Sequence, residues 1–104
     1  MTKQELVEKL EKHKIWLAGD LGGEPADLSG ATLIRANLYG ADLRYANMCR
    51  ANLTGADLRH ANMYGANMYD VELCNAKLFG SILGNGVCME DLRDYQFWRV
   101  SPGE

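Results

Sequence analysis

Residues 36–60 read ANLYG ADLRY ANMCR ANLTG ADLRH, and a five-residue period stands out at once. Working outward, a small residue recurs at Ala26, Ala31 and every fifth place through Ala66, then at Val71, Ala76, Ser81 and Gly86. A bulky apolar residue follows two places later each time, from Leu28 and Leu33 through Met63 and Met68 to Leu83 and Cys88. The residue between them is Asp or Asn in eight of the thirteen units. Glycine closes the unit at Gly30, Gly40, Gly55, Gly65 and Gly80.

A period of five fits neither the 3.6 of a helix nor the 2 of a strand. Two apolar residues separated by one polar residue make a short strand-like alternation. The remaining outward residues demand a turn before the next apolar pair. Repetition winds the chain into a coil lined by Ala and Leu. Asp and Asn suit such turns because their side chains bond nearby amides, and Gly tolerates positive φ. One coil cannot bury this lining, but stacked coils can.

Units such as Ala36-Asn37-Leu38-Tyr39-Gly40 and Ala56-Asp57-Leu58-Arg59-His60 resemble the A-(D/N)-L-x-x pattern of the pentapeptide repeat family. The resemblance implies an all-β solenoid, a right-handed quadrilateral β-helix with four units per 20-residue coil. Thirteen units then make about three coils, a tower roughly 15 Å tall at the usual strand spacing. It also implies a non-catalytic protein with no cofactor.

Both flanks read as closures of the open ends. Thr2-Lys3-Gln4-Glu5 has capping-box form, and Leu6, Leu10, His13 and Leu17 follow at helical spacing, with Val7 and Trp16 widening the stripe. The spacing predicts a helix over about 3–18 that ends near Gly19 and lies across the lower opening. The domain plan is therefore 1–25 for cap and linker, 26–90 for the repeat, and 91–104 for an aromatic tail. That tail, with Tyr95, Phe97, Trp98 and Val100, either folds over the upper opening or pairs with a second copy; better-known family members dimerise through this segment.

The chain of 104 residues allows one domain. Fourteen acids against eleven bases give a net charge of -3, spread evenly along the sequence. No basic stripe of a nucleic-acid binder results. No apolar run approaches the roughly 18–20 residues a bilayer requires, and the N-terminus opens no signal peptide. Cys49, Cys74 and Cys88 are odd in number and form no CxxC pair, which suits free thiols in a reducing cytoplasm rather than disulfides or zinc.

With a 20-residue coil, residues i and i+20 stand one above the other. Tyr39, Arg59 and Phe79 then align, a guanidinium between two rings. Arg44 lies beneath Tyr64 with Tyr45 close by, and Arg50, Asp70 and Glu90 form an ion-pair ladder. Such columns either stack internally or present one surface: Tyr39, Arg44, Tyr45, Arg59, Tyr64 and Phe79 over two adjacent sides, residue types that anchor protein interfaces. His60 and Asp57 share a side, but no nucleophile falls beside them, so His60 reads as an exposed turn residue and catalysis has no support.

Three functional readings result: a rigid module binding a protein partner, a self-assembling scaffold and, as the family resemblance implies, a DNA mimic inhibiting gyrase or a nuclease. Mimicry requires about nine negative charges over 15 Å of duplex at one per roughly 1.7 Å. The repeat region lacks them.

Overall fold

The computed structural model describes residues 1–87. Cys88, Glu90 and the tail residues Tyr95, Phe97, Trp98 and Val100 lie outside the described residues. So does the whole 91–104 segment.

From Asp27 through Asn62 the polar residue at the centre of each unit forms a parallel bridge with the residue twenty places later. Four columns of bridges result. The first joins Asp27, Asn47 and Asn67, the second Thr32, Asn52 and Glu72, the third Asn37, Asp57 and Lys77, and the fourth Asp42, Asn62 and Ile82. Each bridge is one residue long and closed by two backbone bonds, as where Asn47 N–H donates to Ala26 (3.0 Å) and Leu28 N–H to Asn47 (2.7 Å). The chain thus returns alongside itself at the period read from the sequence.

Inside the stack, Leu28, Leu43, Met48, Leu53, Leu58, Met63 and Met68 are fully buried, with Ala46, Ala51, Ala56, Ala61 and Ala66 beside them. Leu38, Leu58 and Leu78 follow the successive bridges of the third column and are all buried. Large and small residues alternate inward, and both kinds are buried. At about 25 cal/mol per Å², each buried Leu or Met contributes on the order of 1.5–3 kcal/mol.

The turns explain the polar residue. From Ala31 to Ser81 the N–H that opens each unit donates three residues back, as Ala31 does to Leu28 and Ala56 to Leu53. The third residue of that turn has positive φ, which type II turns require. Glycine supplies it at Gly30, Gly40, Gly55, Gly65 and Gly80, but Arg35, Tyr45, Arg50, His60, Asp70 and Asn75 adopt it with a side chain. Where a side chain stands at a corner, it can lie across the corner twenty residues on: Tyr45 covers Gly65 and His60 covers Gly80, where a Cβ would collide with the ring. All eight Asp and Asn residues at unit centres accept the backbone N–H two residues later, from Ser29 on Asp27 through Tyr69 on Asn67. This local bond is why the position favours a short polar side chain.

The last return is shorter than the sequence period predicts. Asn67 bridges Asn85, eighteen residues on, not a residue at twenty. Gly84 therefore takes the inward small position expected of Gly86, which is exposed. A Cβ at Gly84 would collide with the Ala66 carbonyl oxygen and lie 2.9 Å from that of Met63. Only glycine lets the chain pass so close to the layer beneath.

Before the stack runs helix α1, Lys3–Leu17, opened by a complete capping box. Thr2 Oγ1 accepts from Glu5 N–H (3.1 Å), and Glu5 accepts from Thr2 N–H (2.8 Å). That second bond lowers the Glu5 carboxyl below its usual range. At the other end Gly19 (φ 78) forms a Schellman closure, with Asp20 N–H on Ile15 and Gly19 N–H on Trp16. Leu6 joins the core of the stack, Leu10 packs against it and His13 is fully buried. The apolar stripe is narrower than its spacing suggests, because Val7 and Trp16 are exposed. The returning chain is pinned to α1 by Glu24 N–H on the Lys12 carbonyl (3.1 Å), and at Gly23 a Cβ would meet the α1 backbone at Ile15 and Trp16.

Candidate functional site

The aromatic and arginine residues singled out from the sequence fall on the third and fourth columns. Tyr39, Arg59, His60 and Phe79 belong to units of the third, and Arg44, Tyr45 and Tyr64 to units of the fourth. Tyr39, Tyr45, Tyr64 and Phe79 are exposed large side chains. Strand alternation puts the second and fourth residues of a unit on the same outer side, which brings Asp42 to Arg44 and Asp57 to Arg59.

Both pairs are bidentate. Asp57 accepts Nε of Arg59 at 2.8 Å and Nη2 at 2.7 Å, and Asp42 accepts the same two nitrogens of Arg44 at 2.8 Å each. Those bonds hold the Asp57 carboxyl down to about 2, lower Asp42 as well, and raise both guanidinium groups. The Arg59 guanidinium also lies 5.1 Å from the centre of the Tyr39 ring. An exposed contact of this kind contributes roughly 0.5–1 kcal/mol.

Besides the expected Arg59–Tyr39 contact, the aromatic column holds a third ring between Tyr39 and Phe79. It is the His60 ring that meets both, edge-on to Tyr39 at 5.5 Å and to Phe79 at 5.7 Å. His60 is indeed exposed at a turn, but its corner conformation (φ 60) swings the ring toward both neighbours. In the fourth column Tyr45 packs edge-on to Tyr64 at 5.9 Å.

The expected ladder of Arg50 and Asp70 does not form. Among the described residues the ion pairs are Asp42–Arg44 and Asp57–Arg59. Arg50 and Asp70 both occupy corners with positive φ, and the carboxylate two residues before each arginine pair is absent from Asn47-Met48-Cys49-Arg50. The sequence signal for a formed pair is Asp-Leu-Arg, present among the described residues at 42–44 and 57–59.

Chemistry for catalysis is thin among the described residues. Asp57 is engaged by Arg59, and among the described residues no group of His, Cys, Asp and Glu could hold a metal ion. Cys49 and Cys74 are free thiols in the first and second columns, Cys74 exposed. No helix among the described residues is long and apolar enough to cross a membrane.

A layered stack built on Ala-(Asp/Asn)-Leu units and bridged at an interval of twenty defines a class of repeat protein. The family described as Pentapeptide repeats matches residues 26–48 and 44–80, with 8 copies, and the chain belongs to it. Among solved structures, the chain is similar to a pentapeptide repeat protein from Nostoc PCC 7120, at 21% identity and TM-score 0.46, covering 88% of this chain and 93% of that one. It is similar also to a pentapeptide repeat protein of the Arabidopsis thaliana thylakoid lumen, at 27% identity and TM-score 0.30, covering 71% and 56%. A third is HetL, a pentapeptide repeat protein involved in heterocyst differentiation regulation in Nostoc sp. strain PCC 7120, at 31% identity and TM-score 0.25, covering 59% and 40%. No curated protein matches the chain significantly.

Proposed function

We propose that the protein is a right-handed quadrilateral β-helix of about three coils, capped below by α1, that serves as a non-catalytic module binding a protein partner. The observation that carries this reading is the pre-ordered surface of the third and fourth columns. Arg44 and Arg59 are each fixed by a bidentate carboxylate, and exposed Tyr39, Tyr45, Tyr64 and Phe79 surround them. Ordering side chains on association costs on the order of 0.5–1.5 kcal/mol apiece, so a surface already ordered starts with an advantage. Tyr and Arg are also the residues enriched where binding energy concentrates.

Charge speaks against the DNA-mimic alternative. Residues 26–87 hold five acids and five bases, and each acid of the third and fourth columns is paired to an arginine. A self-assembling scaffold would use the tail at Tyr95, Phe97, Trp98 and Val100, and sedimentation of the chain with and without residues 95–104 tests it.

The binding reading is tested by affinity capture from the native host. Capture by the wild type, loss on Arg59→Glu or Tyr64→Ala at unchanged melting temperature, and retention on Thr54→Glu in the second column would support it. Equal capture by all four chains would reject it.

A further inference from the structure

Pro25 stands immediately before the first five-residue unit, where the repeat calls for a backbone donor. From Gly30 to His60 the fifth residue of a unit donates its N–H to a carbonyl nineteen residues on: Gly30 to Cys49, Arg35 to Thr54, Gly40 to Arg59, Tyr45 to Tyr64. Counting back one unit, residue 25 would donate to Arg44, and proline has no N–H to give. His13 of α1 fills the place, with Nε2 2.9 Å from the Arg44 carbonyl oxygen. Its Nδ1 accepts the Ala26 N–H at 2.9 Å. In later units that N–H goes to the carbonyl three residues before. One imidazole supplies a donor and an acceptor in place of a peptide group.

The two partners fix the ring's state. A carbonyl only accepts and a backbone N–H only donates, so the ring is neutral, with its hydrogen on Nε2. It is fully buried, and Trp16 stacks on it at 5.4 Å. We propose that His13 is an acid-sensitive latch whose protonation at Nδ1 releases α1 from the first layer of the stack. The incoming proton needs the lone pair that holds Ala26, and it would leave two donors face to face in a site closed to water. The latched form has no room for that proton and the lifted form has. Acid therefore draws the population toward the lifted form.

Neighbouring charges do not cancel this. Along α1, Lys3, Lys9, Lys12 and Lys14 carry the same sign as an imidazolium ion and Glu5, Glu8 and Glu11 the opposite, so the helix is net positive. On the layer side Asp42 senses His13, but both its oxygens are already engaged by Arg44. Asp27, next to Ala26, is engaged by the Ser29 hydroxyl and N–H, while Glu24 and Arg44 are tied here through their backbones. Release uncovers Leu6 and the inner side of the first layer while the bridges above it stay closed, giving a lower end that is sealed at neutral pH and open to contacts in acid.

The test uses the full chain carrying His60→Gln, so that His13 is the remaining histidine. Imidazole nitrogen spectra at pH 8 are expected to show the hydrogen on Nε2. Hydrogen exchange then follows the Ala26 amide relative to the Asn52 amide, which belongs to the bridged stack, from pH 8 to pH 5. The opening of Ala26 relative to Asn52 is expected to rise by up to about tenfold per pH unit. With His13→Gln added, which keeps a donor but takes no proton, the ratio is expected to stay level. A hydrogen on Nδ1, a level ratio in the histidine-bearing chain, Asn52 opening together with Ala26, or the same rise with His13→Gln would each overturn the latch.

Discussion

The middle of the stack and its lower junction are held by different means. In the middle, each unit meets the next through backbone bonds that recur at every layer, and the side chains inside need only the right volume. At the junction, one histidine side chain stands in for a missing peptide hydrogen and a single helix lies against the layer. Repetition makes the first region tolerant of local change and costly to hollow out. The second rests on two hydrogen bonds of one imidazole beside the packing of Leu6 and Leu10, with no repeat of itself to share their loss.

Hollowing the middle gives the largest effect. Leu58→Ala removes a fully buried side chain between two layers. It is expected to destabilise by about 2–5 kcal/mol, read as a lower urea midpoint for the whole chain. At the junction, His13→Ala leaves the Ala26 N–H and the Arg44 carbonyl without their partner. The expected cost is about 1–3 kcal/mol, with fraying confined to α1: helical ellipticity falls while amide protection at Asn52 and Asn62 persists. If the stack melts together with the helix, the two regions are a single cooperative unit and the contrast fails.

Ser81 sharpens the contrast from inside the stack. It stands in the column of Ala41 and Ala61 and is fully buried, yet its hydroxyl has no hydrogen-bond partner among the described residues. Ser81→Ala is expected to raise the urea midpoint, by up to about 1 kcal/mol of stability, since the hydroxyl is desolvated with nothing returned. The outer surface should matter least. The Arg59 bonds depress the folded Asp57 carboxyl to about 2 from its ordinary 3.8. Its contribution is therefore complete above about pH 4 and fades as the pH falls toward 2. Because the pair is only half-buried and open to solvent screening, Asp57→Asn is expected to lower stability at pH 7 by only a few tenths of a kcal/mol. Melting curves at pH 7 and pH 2 should show the difference shrinking in acid.

How far the sequence carries the reader differs along the same line. The buried set was legible because Ala and Leu return at a fixed spacing, and the Asp and Asn positions were legible because their turn bond is local. Asp-Leu-Arg was equally local, though its pairing was missed when charges were sought twenty residues apart at Arg50 and Asp70. The aromatic and arginine residues fall on two adjacent columns, but side-chain direction at a positive-φ corner is not readable from spacing, so the place of His60 between Tyr39 and Phe79 was hidden. The end of the stack misled for another reason. A period of five points to Gly86 and Cys88, while the close passage of Gly84 over Ala66 cuts the return to eighteen. His13 was read as one more member of an apolar stripe. The clue to its role was Pro25, a residue with no N–H at a place where the pattern spends one.

That shortened return has an evolutionary corollary. Every bridge is counted from the one beneath it, so losing or gaining one residue inside any unit would turn every later apolar pair to the outside. Deletions in such a chain are survivable in whole units or at the last rung before Val87, where no later bridge among the described residues inherits the shift. Substitution on the outer sides leaves that count untouched, so the exterior can change while the length of each lap cannot.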